Sequence, residues 1–280
     1  MMTTQRMKKC SGLFLAVLIL TGVSMPRASG SDRRLVGRNA KMITSWETMT
    51  IAVRDSSTDI GALLAKVQQA YHNTAYLSFR IKYLYANEGQ GERNMDSLAG
   101  EVEMHKNLCR FVIDGTETVL TDKYAIQVMN EDKAIYLSAI RHTGLSNPVA
   151  MLDSVFAHIQ GIHTDLQHQG LSEVLTLRFP PGGTYSLIRI QIDARTGYFQ
   201  KISYSLYTVG LVGEDLIDRP GHPGPYQSRG EVTIVFSQYE QGHFDDSLFK
   251  EENFFSKTAG RFEPARRYND YHIFLASSNL

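Results

Sequence analysis

Apolar and polar residues alternate with a period of two along much of this chain. Leu77, Phe79, Ile81, Tyr83 and Tyr85 are interleaved with Ser78, Arg80 and Lys82. That pattern predicts a strand with one buried face, because successive side chains leave opposite sides of a pleated backbone. Leu98, Gly100, Val102 and Met104 repeat it against Ala99, Glu101, Glu103 and His105. Shorter strands are expected at 108–113, 117–121, 124–129 and 134–139, separated by the turn formers Asp114-Gly115 and Asn130-Glu131-Asp132. Leu175, Leu177 and Phe179 form another, which stops at Pro180-Pro181-Gly182-Gly183. Ile188, Ile190 and Ile192 follow, and Asp193-Ala194-Arg195-Thr196-Gly197 turns the chain into Tyr198, Ile202, Tyr204 and Leu206. Val232, Ile234 and Phe236 make the last strong strand. Links this short imply antiparallel hairpins, since a parallel crossover takes about a dozen residues or more.

Two stretches change period. Ile60, Leu63, Leu64, Val67 and Tyr71 fall on one helical stripe behind a Ser57 or Thr58 cap, with Lys66, Gln68 and Gln69 opposite. Asn147, then Pro148 at the first helical position, opens a second helix with Val149, Leu152, Phe156 and Ile159 inward, ending at Gly161. Residues 209–229 are rich in Gly and Pro and read as a long exposed loop; Thr48–Val53 reads as a short strand. The sum is an α+β fold, mainly antiparallel β. Some eight to eleven strands curl around their apolar face as an incomplete barrel, and helices cover the opening.

The first thirty residues follow a different logic. Arg6, Lys8 and Lys9 precede the apolar run Leu13–Leu20, and Ala28 and Gly30 place small residues at a workable cleavage site. Eight apolar residues are too few for a permanent span, which needs about 20. Residues 1–30 are therefore expected to be a signal peptide, and the product periplasmic. Leu20-Thr21-Gly22 resembles a lipoprotein box, but Val23 stands where the acylated cysteine would be, so no lipid anchor is expected. Arg6, Lys8, Lys9 and Arg27 would leave with this segment, turning 29 basic against 29 acidic side chains into 25 against 29. A mildly acidic chain without basic runs argues against nucleic acid as a partner. Cys109 would remain as a lone thiol between Leu108 and Phe111-Val112-Ile113, reading as a small buried hydrophobe rather than a nucleophile.

In order of elements, the chain resembles the bacterial outer-membrane lipoprotein carrier family. The resemblance rests on the helix Ile60–His72, the strand opening Tyr76-Leu77-Ser78-Phe79, and Gly100-x-Val102-x-Met104. It continues through Phe111-Val112-Ile113-Asp114-Gly115, the Pro-led helix at Asn147–Gln160 and Ile190-Gln191-Ile192-Asp193-x-x-Thr196-Gly197-Tyr198, and ends on Phe236 to Phe249, which resembles the family's late strand and its Asp-x-x-x-Phe tail. It spans roughly 57–255 and leaves 31–56 as an N-terminal extension and 256–280 as a C-terminal one. It implies an incomplete barrel lidded by helices, shuttling acylated proteins across the periplasm with their acyl chains against the apolar concave face. The inward residues would then line the site: Leu77, Phe79, Ile81 and Tyr83; Val102 and Met104; Ile188, Ile190 and Ile192; Ile202 and Tyr204; Val232, Ile234 and Phe236. The partners would be an apolar or acylated ligand and an envelope protein.

The same alternation also suits side chains that fill a closed core, so a structural or protein-interaction module of the cell envelope is the alternative. Catalytic signals are absent from the sequence. His158, His163 and His168 lie five apart, a spacing that matches no zinc pattern, and no Gly-x-Ser-x-Gly elbow or phosphate-cradling loop occurs. Glu101 and Glu103 read as solvated outward positions. Arg261, Arg266 and Arg267 beside Tyr268 and Tyr271 read as surface. Neither cofactor nor metal is called for.

Overall fold

In the computed structural model, residues 57–90, 95–140, 161–181, 185–212, 214–277 and 280 are described. The leader, the strand expected at Thr48–Val53 and the helix expected at Asn147–Gln160 lie outside them.

The helical stripe forms α1 (Ser57–His72). It is followed by β1 (Tyr76–Asn87), β2 (Asp96–His105), β3 (Leu108–Ile113), β4 (Thr116–Leu120), β5 (Tyr124–Met129) and β6 (Ala134–Ala139). Next come β7 (His163–Gln169), β8 (Ser172–Arg178), β9 (Tyr185–Asp193), β10 (Phe199–Tyr207) and β11 (Arg229–Gln241). The chain ends with β12 (Phe255–Thr258), β13 (Arg261–Pro264) and β14 (His272–Leu275). Twelve strands make one open sheet in the order β14-β6-β5-β4-β3-β2-β1-β11-β10-β9-β8-β7, and β12-β13 stand apart as a hairpin. Every pairing is antiparallel except β14 against β6.

The mainly antiparallel class is as the alternation predicts, and the sheet does not close. The strand count exceeds the expected eleven for an identifiable reason. β7 reads His-Thr-Asp-Leu-Gln-His-Gln and is largely exposed. As the sheet's edge it packs too little to need an apolar face. β12, β13 and β14 are four residues each, too short to display a period. Among the described residues α1 is the one α-helix, so of the two covering helices only this one is seen.

The sheet is buried on both sides, over different strands. On its inner face α1 contributes Ile60, Leu63, Val67 and Tyr71 to a core built on β1–β3 and β8–β11. On the opposite face of β4–β6, Val119, Ile126, Val128, Ile135 and Leu137 pack against Phe249, Phe254, Phe255 and Tyr268 of the C-terminal segment. Leu120 and Ala125 belong to the first core and their neighbours Val119 and Ile126 to the second, which is what a pleated backbone requires. Asp245 starts the C-terminal segment: its carboxylate accepts a hydrogen bond from the Ser247 N–H at 2.8 Å and caps a 3-10 turn that buries Phe249.

The segment 209–229 is exposed over most of its length, as its composition suggests, but it is anchored at a few points. Leu211, Val212 and Ile217 are buried in the inner core. Asn87 ties the segment down: its Oδ1 accepts from the Gln227 N–H at 2.9 Å and its Nδ2 donates to the Pro225 carbonyl at 3.3 Å. The Gly- and Pro-rich part, 218–223, is itself exposed, and the anchoring comes from these apolar side chains and Asn87.

Candidate functional site

All fourteen predicted residues share the inner face and meet in one core. Cross-strand register lines them up. Tyr83, Ile234, Ile202, Ile190 and Leu175 form one row across β1, β11, β10, β9 and β8. Tyr85, Val232, Tyr204, Ile188 and Leu177 form the next. Phe79 opposes Val102, Leu77 opposes Met104 and Ile81 opposes Phe236, while Ile192 opposes Phe199. Thirteen of the fourteen are buried and Phe236 is half-buried against the same core. Side chains from α1 and the 209–229 segment pack on this face, so it is covered rather than open.

One end of the face is aromatic and firmly bonded. The Tyr239 hydroxyl donates to the Phe199 carbonyl at 2.8 Å, so the Tyr71 hydroxyl donates to Tyr239 at 2.8 Å and accepts from the Phe199 N–H at 3.3 Å. Three hydrogen bonds thus close a ring between α1, β10 and β11. Beside it, Thr74 donates to the Ala70 carbonyl, leaving the Tyr198 hydroxyl to donate to Thr74 at 3.0 Å and accept from the Gln241 amide at 2.8 Å. Tyr198 stacks on Tyr239 with centroids 4.5 Å apart, and Phe79 and Phe236 complete the cluster. Burial pushes the Tyr71 and Tyr239 hydroxyls well above the usual phenol range, so both stay neutral donors. Lys66 donates to the Ala194 carbonyl and fastens the same half of α1 to the β9–β10 turn.

The other end differs. Tyr204 is buried between Val232 and Ile188, and its hydroxyl has no hydrogen-bond partner among the described residues. Tyr185 meets it edge-on at 5.7 Å. Burial first, then the neighbouring Tyr83 and Tyr185, raise the Tyr204 hydroxyl well above the ordinary phenol value. Burial also raises Tyr83. No lysine, arginine or histidine occupies an inner position of β1, β2 or β9–β11 among the described residues.

Away from this face lies a shallow polar groove of about 360 Å³ beside α1, lined by Lys66, Gln69, Asn73, Thr74, Arg195, Thr196 and Gln241, with Ala70 and Tyr198. None of the fourteen residues lines it. Its side chains sit on the polar side of the helix and in the turn, which sequence pattern reads only as solvated.

Similar solved structures include a LolA superfamily protein. That protein, from Nitrosomonas europaea, is 12% identical, with a TM-score of 0.33 over 69% of this chain and 97% of that one. An uncharacterized conserved protein from Thermus thermophilus is 10% identical, with a TM-score of 0.44 over 78% of this chain and 99% of that one. The lipoprotein LppX of Mycobacterium tuberculosis is 13% identical, with a TM-score of 0.32 over 66% and 99%. No family model matches the sequence, and no curated protein does.

The outlying chemistry is structural. Cys109 is buried and burial pushes its thiol up to about 12, with Glu103 adding to the shift, so little thiolate is available to react. Glu101 is exposed, but Glu103 is not a freely solvated carboxylate. It and Glu117 take Arg110 between them at 2.5 and 2.7 Å on the sheet's opposite face. Arg261, Arg266 and Arg267 are all exposed, and Arg267 also lies over the rings of Phe254 and Tyr268 at 4.8 and 4.6 Å, on the second core's rim. Among the described residues no cluster of three metal-ligating side chains occurs, and no helix is long and apolar enough to cross a membrane.

Proposed function

We propose that this protein is a non-catalytic carrier or binder of apolar ligands, the acyl chains of lipids or acylated proteins, acting in the periplasm. The observation that carries the reading is the inner face itself. Two continuous apolar rows cross five strands of a sheet that does not close. What covers it includes α1, a separate element whose side-chain hydrogen bonds to the sheet, among the described residues, lie in its second half and just beyond it, at Lys66, Tyr71 and Thr74. An acyl chain would take the place of the covering side chains, exchanging one apolar contact for another at small net cost.

The test is extraction of the purified protein for mass spectrometry, followed by titration with the apolar fluorophore N-phenyl-1-naphthylamine. Co-purified lipid and saturable binding are expected. Neither appearing would overturn the carrier reading. The burial of thirteen of the fourteen residues would then describe a filled core, and the chain would be an envelope interaction or structural module.

A further inference from the structure

Tyr204 brings a hydroxyl between aliphatic row neighbours on the inner face. Its row neighbours are Val232 and Ile188, and Leu177 follows. A phenol buried to 4% exposure normally bonds its hydroxyl, as Tyr71 does here through Tyr239 and Phe199. Tyr204 does not. A phenylalanine would fill the same space without leaving a donor unsatisfied.

Resting on the carrier reading, we infer that the Tyr204 hydroxyl is the polar anchor of the ligand site. It donates a hydrogen bond to a neutral oxygen of the ligand, the carbonyl of an acyl ester or amide, while the chain lies along the aliphatic rows. The preference for a neutral oxygen follows from the surroundings. The inner positions of β1, β2 and β9–β11 offer no cation, so a free carboxylate bound there would be desolvated without a counter-charge. A carbonyl carries no such penalty and gives the donor what it lacks. The Tyr83 hydroxyl is buried nearby and, like Tyr204, stays protonated across the working range. The inferred cargo is thus an esterified or amide-linked acyl chain and not a free fatty acid.

The experiment uses the folded chain and its Tyr204→Phe variant, with N-phenyl-1-naphthylamine as reporter and methyl laurate or laurate as competitor at pH 8. In the wild type, methyl laurate should displace the fluorophore at concentrations at least about tenfold below laurate. In Tyr204→Phe, fluorophore binding should persist while methyl laurate weakens about tenfold, the contribution of one hydrogen bond between neutral groups. Equal displacement by methyl laurate in both proteins would overturn the anchor and leave the carrier reading standing. Laurate matching the ester in the wild type would overturn the neutral-oxygen preference. No fluorophore binding by the wild type would instead remove the carrier reading itself. Circular dichroism of the variant should match the wild type, since no bond within the described protein is lost.

Discussion

Single residues carry distinct and separable consequences. Because the Tyr204 hydroxyl is buried without a partner among the described residues, Tyr204→Phe is expected to leave unliganded stability unchanged or raise it by about 1 kcal/mol, measured as a denaturation midpoint. A loss above about 1 kcal/mol would mean that the hydroxyl is satisfied after all. Cys109 makes a second case. With its thiol buried and pushed up to about 12, it should resist alkylation at pH 8 in a Cys10→Ser chain until denaturant is added. Rapid labelling of the native protein would contradict its burial. Both residues were legible in part. Alternation put Tyr204 on the inner face and flanking hydrophobes put Cys109 inside. What alternation cannot show is whether an inward hydroxyl finds a partner, because that depends on strands distant in sequence.

At the scale of elements, the β9–β10 turn does two jobs. Gly197 has φ +78°, and a Cβ there would come within 3.1 Å of the Ala70 side chain and 3.2 Å of the Lys66 carbonyl on α1. Gly197→Ala is therefore strained in its own backbone and pushes on the helix as well. It is expected to lower stability by about 1–3 kcal/mol and to expose Tyr198 to quencher. In the same turn Asp193 accepts hydrogen bonds from the Thr196 N–H, the Thr196 hydroxyl and the Arg195 N–H. The Thr196 amide bond is the chief cause holding its carboxyl below the usual carboxylate value. A pKa lowered by folding contributes stability above the unfolded value of about 3.9, and that contribution fades as pH falls through the lower folded value. Asp193→Asn should cost stability at pH 7 and progressively less toward pH 3. A cost constant across that range would mean that the turn needs the geometry of the side chain and not its charge. The period-two strands here were legible because one face is wet and the other dry. The edge strand β7 and the anchoring of the 209–229 loop were not: an edge needs few apolar residues, and an exposed loop can be held by three buried side chains and its Asn87 bonds.

The whole molecule is a sheet that is covered on each side by a different part of the chain. The N-terminal helix and the 209–229 segment join the core built on β1–β3 and β8–β11, and the C-terminal segment packs on β4–β6 from the other side. Sequence reading placed the first cover because its partner strands alternate cleanly. It treated 256–280 as an appendage because β4–β6 read as simple hairpins, and only their two-sided burial shows that something must lie behind them. A chain ending at Phe255 would keep Phe249, Phe254 and Phe255 but lose Tyr268 and β14. That loss uncovers part of Ile126, Val128, Ile135 and Leu137 and frees the edge of β6. Exposed apolar area next to an unpaired edge favours association between copies. The truncated chain is therefore expected to aggregate on refolding, or to unfold at a lower temperature with a smaller denaturant m-value, by light scattering and urea titration. If instead it unfolds cooperatively at the wild-type midpoint, the second core is dispensable. The inner face would then be the only part of the molecule on which folding and ligand binding both depend.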